Sequence, residues 1–149
     1  MNPSRTKVEN VAVTTAFEMT FAGSESDDPI AATLKYNVFE PFAVTASFVL
    51  GEGPAVQWVM SRDLLREGVV MPTGLGDIRV YPVSDTLYME LASPSGRAIL
   101  EAPIAPVIEF IGSVFATVPE GAEGDYFSVD AELDMLSELY AQRDGDAAA

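Results

Sequence analysis

The chain has 149 residues and a mass of 15.9 kDa, the size of one domain, and that length is enough to bury roughly 68% of the surface its unfolded form would expose. It contains neither cysteine nor histidine, which removes disulfides, thiolate nucleophiles, zinc sites and histidine acid–base chemistry together. The net charge of -15, with 11 acids opposed only by Arg143 in residues 101–149, repels phosphate backbones and anionic lipid and argues against a nucleic-acid partner.

Residues 1–7 are polar and are expected to fray. Over Val8 to Phe21, the side chains of Val11, Val13, Thr15, Phe17, Met19 and Phe21 alternate with Ala12, Thr14, Ala16, Glu18 and Thr20, the mark of a long one-sided strand. A polar loop, Gly23 to Pro29, leads to a strand at Ala31 to Tyr36 with Leu34 and Tyr36 on one face. Phe42, Val44, Ala46 and Phe48 form the next alternating set. The Gly51-Glu52-Gly53-Pro54 turn then returns the chain into Val56, Trp58 and Met60, which predicts Trp58 in the core.

The stretch Gln57 to Pro82 reads strand, short helix, turn, strand. Ser61 caps the helix, Asp63 lies at its positive end and Gly68 stops it, while Pro72, Gly74 and Gly76 build the turn before the strand Asp77 to Tyr81, which Pro82 ends. Arg62 and Asp63 adjoin where strand meets helix. A cap with a surface ion pair is the plainest reading, a fixed network bridging strands the next, and a binding or catalytic pair the last. Further on, Val83 to Asp85 turns into a strand at Thr86 to Ala92, and Ser93 to Gly96 turns that strand back through Arg97 to Glu101. Seven strands result, antiparallel because their connections are too short for crossovers.

The period then changes. Pro103 to Thr117 reads as a helix, and Ser128 to Tyr140 as a second, with Val129, Leu133, Leu136 and Tyr140 on one stripe; the tail 143–149 is expected to be flexible. The fold class is therefore α+β: one domain over residues 1–149, in which a curved antiparallel sheet with a short inserted helix is followed by two C-terminal helices. The first of these carries more apolar surface than one sheet face can bury. That excess predicts a homo-oligomer joined through Ile104, Val107, Ile108, Ile111 and Phe115.

No catalytic, metal or cofactor constellation emerges. The i,i+4 pairs Asp63 with Glu67 and Asp130 with Asp134 lie on predicted solvent faces, Asp27-Asp28 and Ala122 to Asp125 lack the ligand spacing of a calcium loop, and Pro72 to Asp77 precedes a strand where a phosphate loop opens a helix. No apolar run approaches the roughly 20 residues of a membrane span, and the start of the chain has no signal-peptide pattern, so no membrane insertion and a cytoplasmic location are expected.

Taken together, Leu34 to Tyr36 (LKY), Pro41 to Phe48 (PFAVTASF), Trp58 to Gly68 (WVMSRDLLREG), Pro72 to Pro82 (PTGLGDIRVYP), Ser93 to Pro103 (SPSGRAILEAP), Val118 to Gly121 (VPEG) and Ser128 to Leu133 (SVDAEL) resemble the SsgA-like family of sporulating actinomycetes. Within this resemblance Trp58, Arg62, Asp63, Gly68, Pro72, Gly74, Gly76 and Asp77 form the signature, and Tyr81 stands where many relatives carry Trp. The resemblance implies a fold similar to the Whirly fold, trimeric assembly, no cofactor and no enzymatic activity. It also implies a role at the division septum, through the tubulin-like FtsZ or other divisome or cell-wall proteins. A paralogue that controls wall remodelling or spore separation without touching FtsZ is the alternative.

Overall fold

The computed structural model describes residues 5–8, 11–23, 28–74 and 76–126. Its strands are β1 (Arg5–Val8), β2 (Ala12–Phe21), β3 (Ile30–Asn37), β4 (Ala43–Leu50), β5 (Val56–Ser61), β6 (Ile78–Val83), β7 (Thr86–Ser93) and β8 (Gly96–Pro103). Two α-helices, α1 (Arg62–Gly68) and α2 (Ala105–Thr117), and a short 3-10 helix at Glu123–Asp125 complete it. The predicted second C-terminal helix at Ser128 to Tyr140, and the tail, lie outside the described residues.

All pairings are antiparallel, and the curled sheet runs β5-β4-β3-β2-β8-β7-β6. This is the predicted α+β architecture, and its seven strands are the predicted seven. An eighth, β1, pairs Arg5 with Ala16 through Val8 with Val13, so that Arg5 to Lys7, expected to fray, contribute a strand. It can do so because β2 is shared: Ala12 to Met19 pair with β3, only Thr20 and Phe21 pair with β8, and the remaining edge of β2 is left for β1.

Strict alternation along β2 to β4 puts Val13, Phe17, Leu34, Tyr36, Val44 and Phe48 inside the curl, as the period-2 pattern requires. Phe42 departs from its predicted set: it precedes β4 in a turn and is exposed. Pro82 does not end β6 but sits within it. The strand is the last of the sheet, where a missing N–H costs no ladder bond.

Helix α2 starts at Ala105, with Pro106 in its first turn and Pro103 still in β8. It lies against β1, β2 and α1. Its apolar excess is covered within the chain: Val107 is fully buried and Ile111 is 6% exposed, with Phe110 and Val114 also buried. Of the five residues expected at an oligomer interface, Val107 and Ile111 are therefore already covered within the chain. Ile104 and Phe115 are half-buried, and Ile108, at 48% exposure, is the only one of the five that reaches solvent freely.

The sheet does not close on itself. At one end of the gap α1 packs against β5, β6 and α2. At the other end lies an apolar cleft of about 610 Å³ lined by Phe48, Val56, Trp58, Leu91 and Leu100.

Candidate functional site

Two places carry features beyond core packing: the junction around α1 and the cleft opposite. The junction is built from local rules. Ser61 has extended backbone and its Oγ accepts the Leu64 N–H at 3.0 Å, an N-cap as predicted, and Asp63 lies in the first turn. From there Arg62, Leu65 and Gly68 follow at three-residue spacing and form the buried face of the helix.

Arg62 is 1% exposed, so the surface-pair reading of Arg62 with Asp63 is overturned: the two side chains leave on opposite sides. The Arg62 guanidinium donates to the Val118 carbonyl at 2.6 Å, to Glu123 Oε1 at 2.5 Å and, at 3.5 Å, to Tyr36 Oη. Its plane lies 4.0 Å from the centre of the Phe115 ring, and Arg66 covers the same ring at 4.6 Å. Exposed Asp63 instead pairs with Arg66 at 3.2 Å, and Arg66 also reaches Glu120 at 3.0 Å.

This is the second of the three readings, a fixed network. It ties α1 to β3 and to the end of α2, where the sequence reading had it bridge strands. Val118 caps α2, so the guanidinium satisfies a helix-terminal carbonyl and places its positive charge at the negative end of the dipole. The Tyr36 hydroxyl donates to the Pro41 carbonyl at 3.0 Å, and burial raises its pKa against the opposing pull of Arg62. Glu123 is held below the ordinary carboxylate range by its own backbone N–H, then by Arg62. Arg62 Nη1 and Nη2, the Tyr36 hydroxyl and both carboxylate oxygens of Glu123 are engaged with other parts of the fold. The arrangement joins α1, β3 and the segment after α2 through one buried cation.

Gly68 does not end α1 in the manner of a left-handed cap. It is the last residue of the helix, and a Cβ there would lie 2.6 Å from Val80 Cγ1, so glycine is required by the approach of α1 to β6. The turn residues behave as predicted: Gly74 has φ 121° and would place a Cβ 2.3 Å from the Ile78 carbonyl oxygen, and Gly76 has φ 80°. Between them and β6, Thr73 exchanges two backbone hydrogen bonds with Val80, while exposed Pro72 starts the turn and the Asp77 carbonyl accepts from the Ala92 N–H. Trp58 corrects another expectation. It is half-buried and lines the cleft, so it is wall as much as core.

The structure brings Trp58, Arg62, Gly68, Gly74 and Asp77 to the two borders of the gap in the sheet, and it leaves Asp63 on the surface. Tyr36, Phe115 and Glu123 were missed as partners of Arg62. The spacing of Arg62 with Leu65 was the available signal, because it puts the arginine on the apolar face of a helix.

Comparison with known proteins extends along nearly the whole described chain. The profile described as "Streptomyces sporulation and cell division protein, SsgA" matches residues 30–123, which include both borders of the gap. The chain belongs to the SsgA family. Among relatives in this family, the sporulation-specific cell division protein SsgB of Streptomyces coelicolor is 43% identical over 117 residues, 76% of this chain and 85% of its own. SsgB of Thermobifida fusca is 38% identical over 109 residues, 70% of this chain and 79% of its own. The SsgA-like crystal structure from Thermobifida fusca superposes with a TM-score of 0.75 at 32% identity, covering 87% of this chain and 98% of that one. A second structure, from work on SsgB mutations that correlate to longitudinal cell division during sporulation of Streptomyces coelicolor, gives 0.70 at 36%, covering 85% and 99%. SsgA-family membership thus fits the fold and the role in sporulation septation that the sequence motifs imply. Among the described residues no helix is long and apolar enough to cross a membrane.

Proposed function

We propose that this protein is a non-enzymatic adaptor that acts at the sporulation septum and recruits or positions the FtsZ division machinery. The observation that carries the reading is its 43% identity to a sporulation-specific cell division protein across the span that builds both borders of the gap. The chemistry of the junction supports it, since Arg62, Tyr36 and Glu123 are spent on joining elements. An adaptor needs surface rather than reactive groups, and the cleft beside Trp58 supplies surface. Self-association, as the trimer that the family resemblance implies, would have to use a face other than the buried side of α2.

The test is made in sporulating filaments. A fluorescently tagged copy forms periodic bands at future septa, deletion abolishes sporulation septa, and FtsZ co-purifies with the tagged protein. Normal septation after a clean deletion contradicts the reading, and recovery of cell-wall enzymes without FtsZ moves it to the paralogue that acts on wall remodelling.

A further inference from the structure

The two edges of the sheet are finished differently. At β6 the outer edge carries Pro82 and is covered at Val80 by the Thr73 bridge. At β5 the sequence Val56 to Ser61 has no proline and no charge, and among the described residues the strand pairs only with β4. Its hydrogen-bonding phase can be read from the register. The Arg62 N–H donates to the Phe42 carbonyl, so the bonded pairs continue as Val44 with Met60, Ala46 with Trp58 and Phe48 with Val56. The backbone groups of Gln57 and Val59 therefore point away from β4, and among the described residues no backbone group meets them. The Val59 side chain, on the outer face, is 65% exposed.

An unpaired edge alone would be a liability. Here it borders the cleft, and the β5 side chains that face inward, Val56 and Trp58, are part of the cleft wall. A strand laid along β5 would satisfy the outward N–H and C=O groups and would hang every second side chain over an apolar cleft of about 610 Å³. Charge selects the occupant. Exposed Glu52 precedes β5, and exposed Asp63 and Glu67 follow it, while Arg62 is buried and Arg66 is paired with Asp63 and Glu120. Two copies of this -15 chain joined through antiparallel β5 strands would set Glu52 of each near Asp63 of the other.

We infer that β5 is a docking edge for an extended segment of a partner protein, with apolar residues at alternate positions and basic residues at its ends. The inference rests on the adaptor reading and gives that reading a surface. The two fail separately, because septal localisation is scored in cells and the edge is scored with purified protein.

The experiment is selection of a random 12-residue peptide library on the full-length chain, followed by titration of the enriched peptides against wild type, Val59→Pro and Val59→Thr. Proline at position 59 removes an outward N–H without breaking the β4 ladder, and threonine keeps it. Enriched peptides are expected to alternate apolar residues between basic ends and to shift the emission of Trp58, the only tryptophan. They should bind Val59→Pro at least tenfold more weakly than wild type and bind Val59→Thr within about threefold. The inference is overturned by absence of enrichment, by enriched peptides with helical spacing, or by equal affinity for Val59→Pro. It is also overturned if the Gln57 and Val59 amides of the free protein resist hydrogen exchange. Protection independent of concentration would mean that residues 127–149 cover the edge, and protection that vanishes on dilution would mean that a second copy does.

Discussion

At the α1 end of the half-barrel, the buried Arg62 is answered by the end of α2, by Glu123 and by Tyr36 of β3, while Arg66 pairs with Glu120 at the surface. At the cleft end, Gln57 and Val59 offer backbone groups to which nothing in the described chain replies, above a wall of apolar side chains. Both ends arise from the same gap between β5 and β6. Comparing them separates what stabilises this protein from what it has available for a partner. The buried arginine, which in many proteins would attract a catalytic interpretation, belongs to the first group, and an uncharged strand of ordinary composition belongs to the second.

The largest expected effect is at the closed end. Arg62→Ala takes the guanidinium from the Val118 carbonyl and from Glu123 Oε1 and leaves only Arg66 over the Phe115 ring, and it is expected to cost about 3 to 5 kcal/mol in urea unfolding. Out of a total of about 5 to 15 kcal/mol this is close to loss of the fold. A cost below about 1 kcal/mol would make the junction a surface feature and erase the contrast.

Next is Gly68→Ala. In a solvent-facing helix position the change would stabilise by up to about 1 kcal/mol through helix propensity. Against Val80 it is expected to destabilise by about 1 to 3 kcal/mol, so the sign alone reports whether α1 is pressed onto β6.

A smaller effect comes from pH. Because the native pKa of Glu123 is lowered, its contribution is fully present above its unfolded value of about 4.3 and is lost as pH falls through the native value. The stability difference between wild type and Glu123→Gln is therefore expected to be constant near neutrality and to shrink on acidification below about pH 4.3, as measured by denaturant midpoints. A difference that grows on acidification would contradict the assignment.

The smallest effect lies away from both ends. The Thr15 hydroxyl is buried with no hydrogen-bond partner among the described residues, so Thr15→Val is expected to raise stability by about 1 kcal/mol and to leave peptide binding at β5 unchanged.

Most of the sheet was legible in the sequence because period-2 alternation is a local property: Val13 to Met19 and Val44 to Phe48 declare their inward faces without knowledge of any partner. β1 was not legible, since Arg5 to Lys7 are polar and form a strand only because β2 has an edge to give them. Helix α2 was legible from its period, but not its neighbours, since sequence does not say that β1, β2 and α1 all lie against it. The site divided in the same way. Ser61, Gly74 and Gly76 act through neighbours close in sequence and were read correctly, while Arg62 acts through Glu123, 61 residues away, and Asp63 pairs with Arg66 in its place. The cleft was invisible for a related reason, since Trp58 looks like any core residue until it is known that no strand among the described residues lies on the outer side of β5.

The claim that the closed end holds the fold while the open end meets the partner is tested most directly by replacing the gene with Val59→Pro in sporulating filaments. The account predicts a protein with the wild-type unfolding midpoint that accumulates normally and does not support sporulation septa, with Val59→Thr restoring them. Regular septa in filaments that carry only the folded Val59→Pro protein would contradict it.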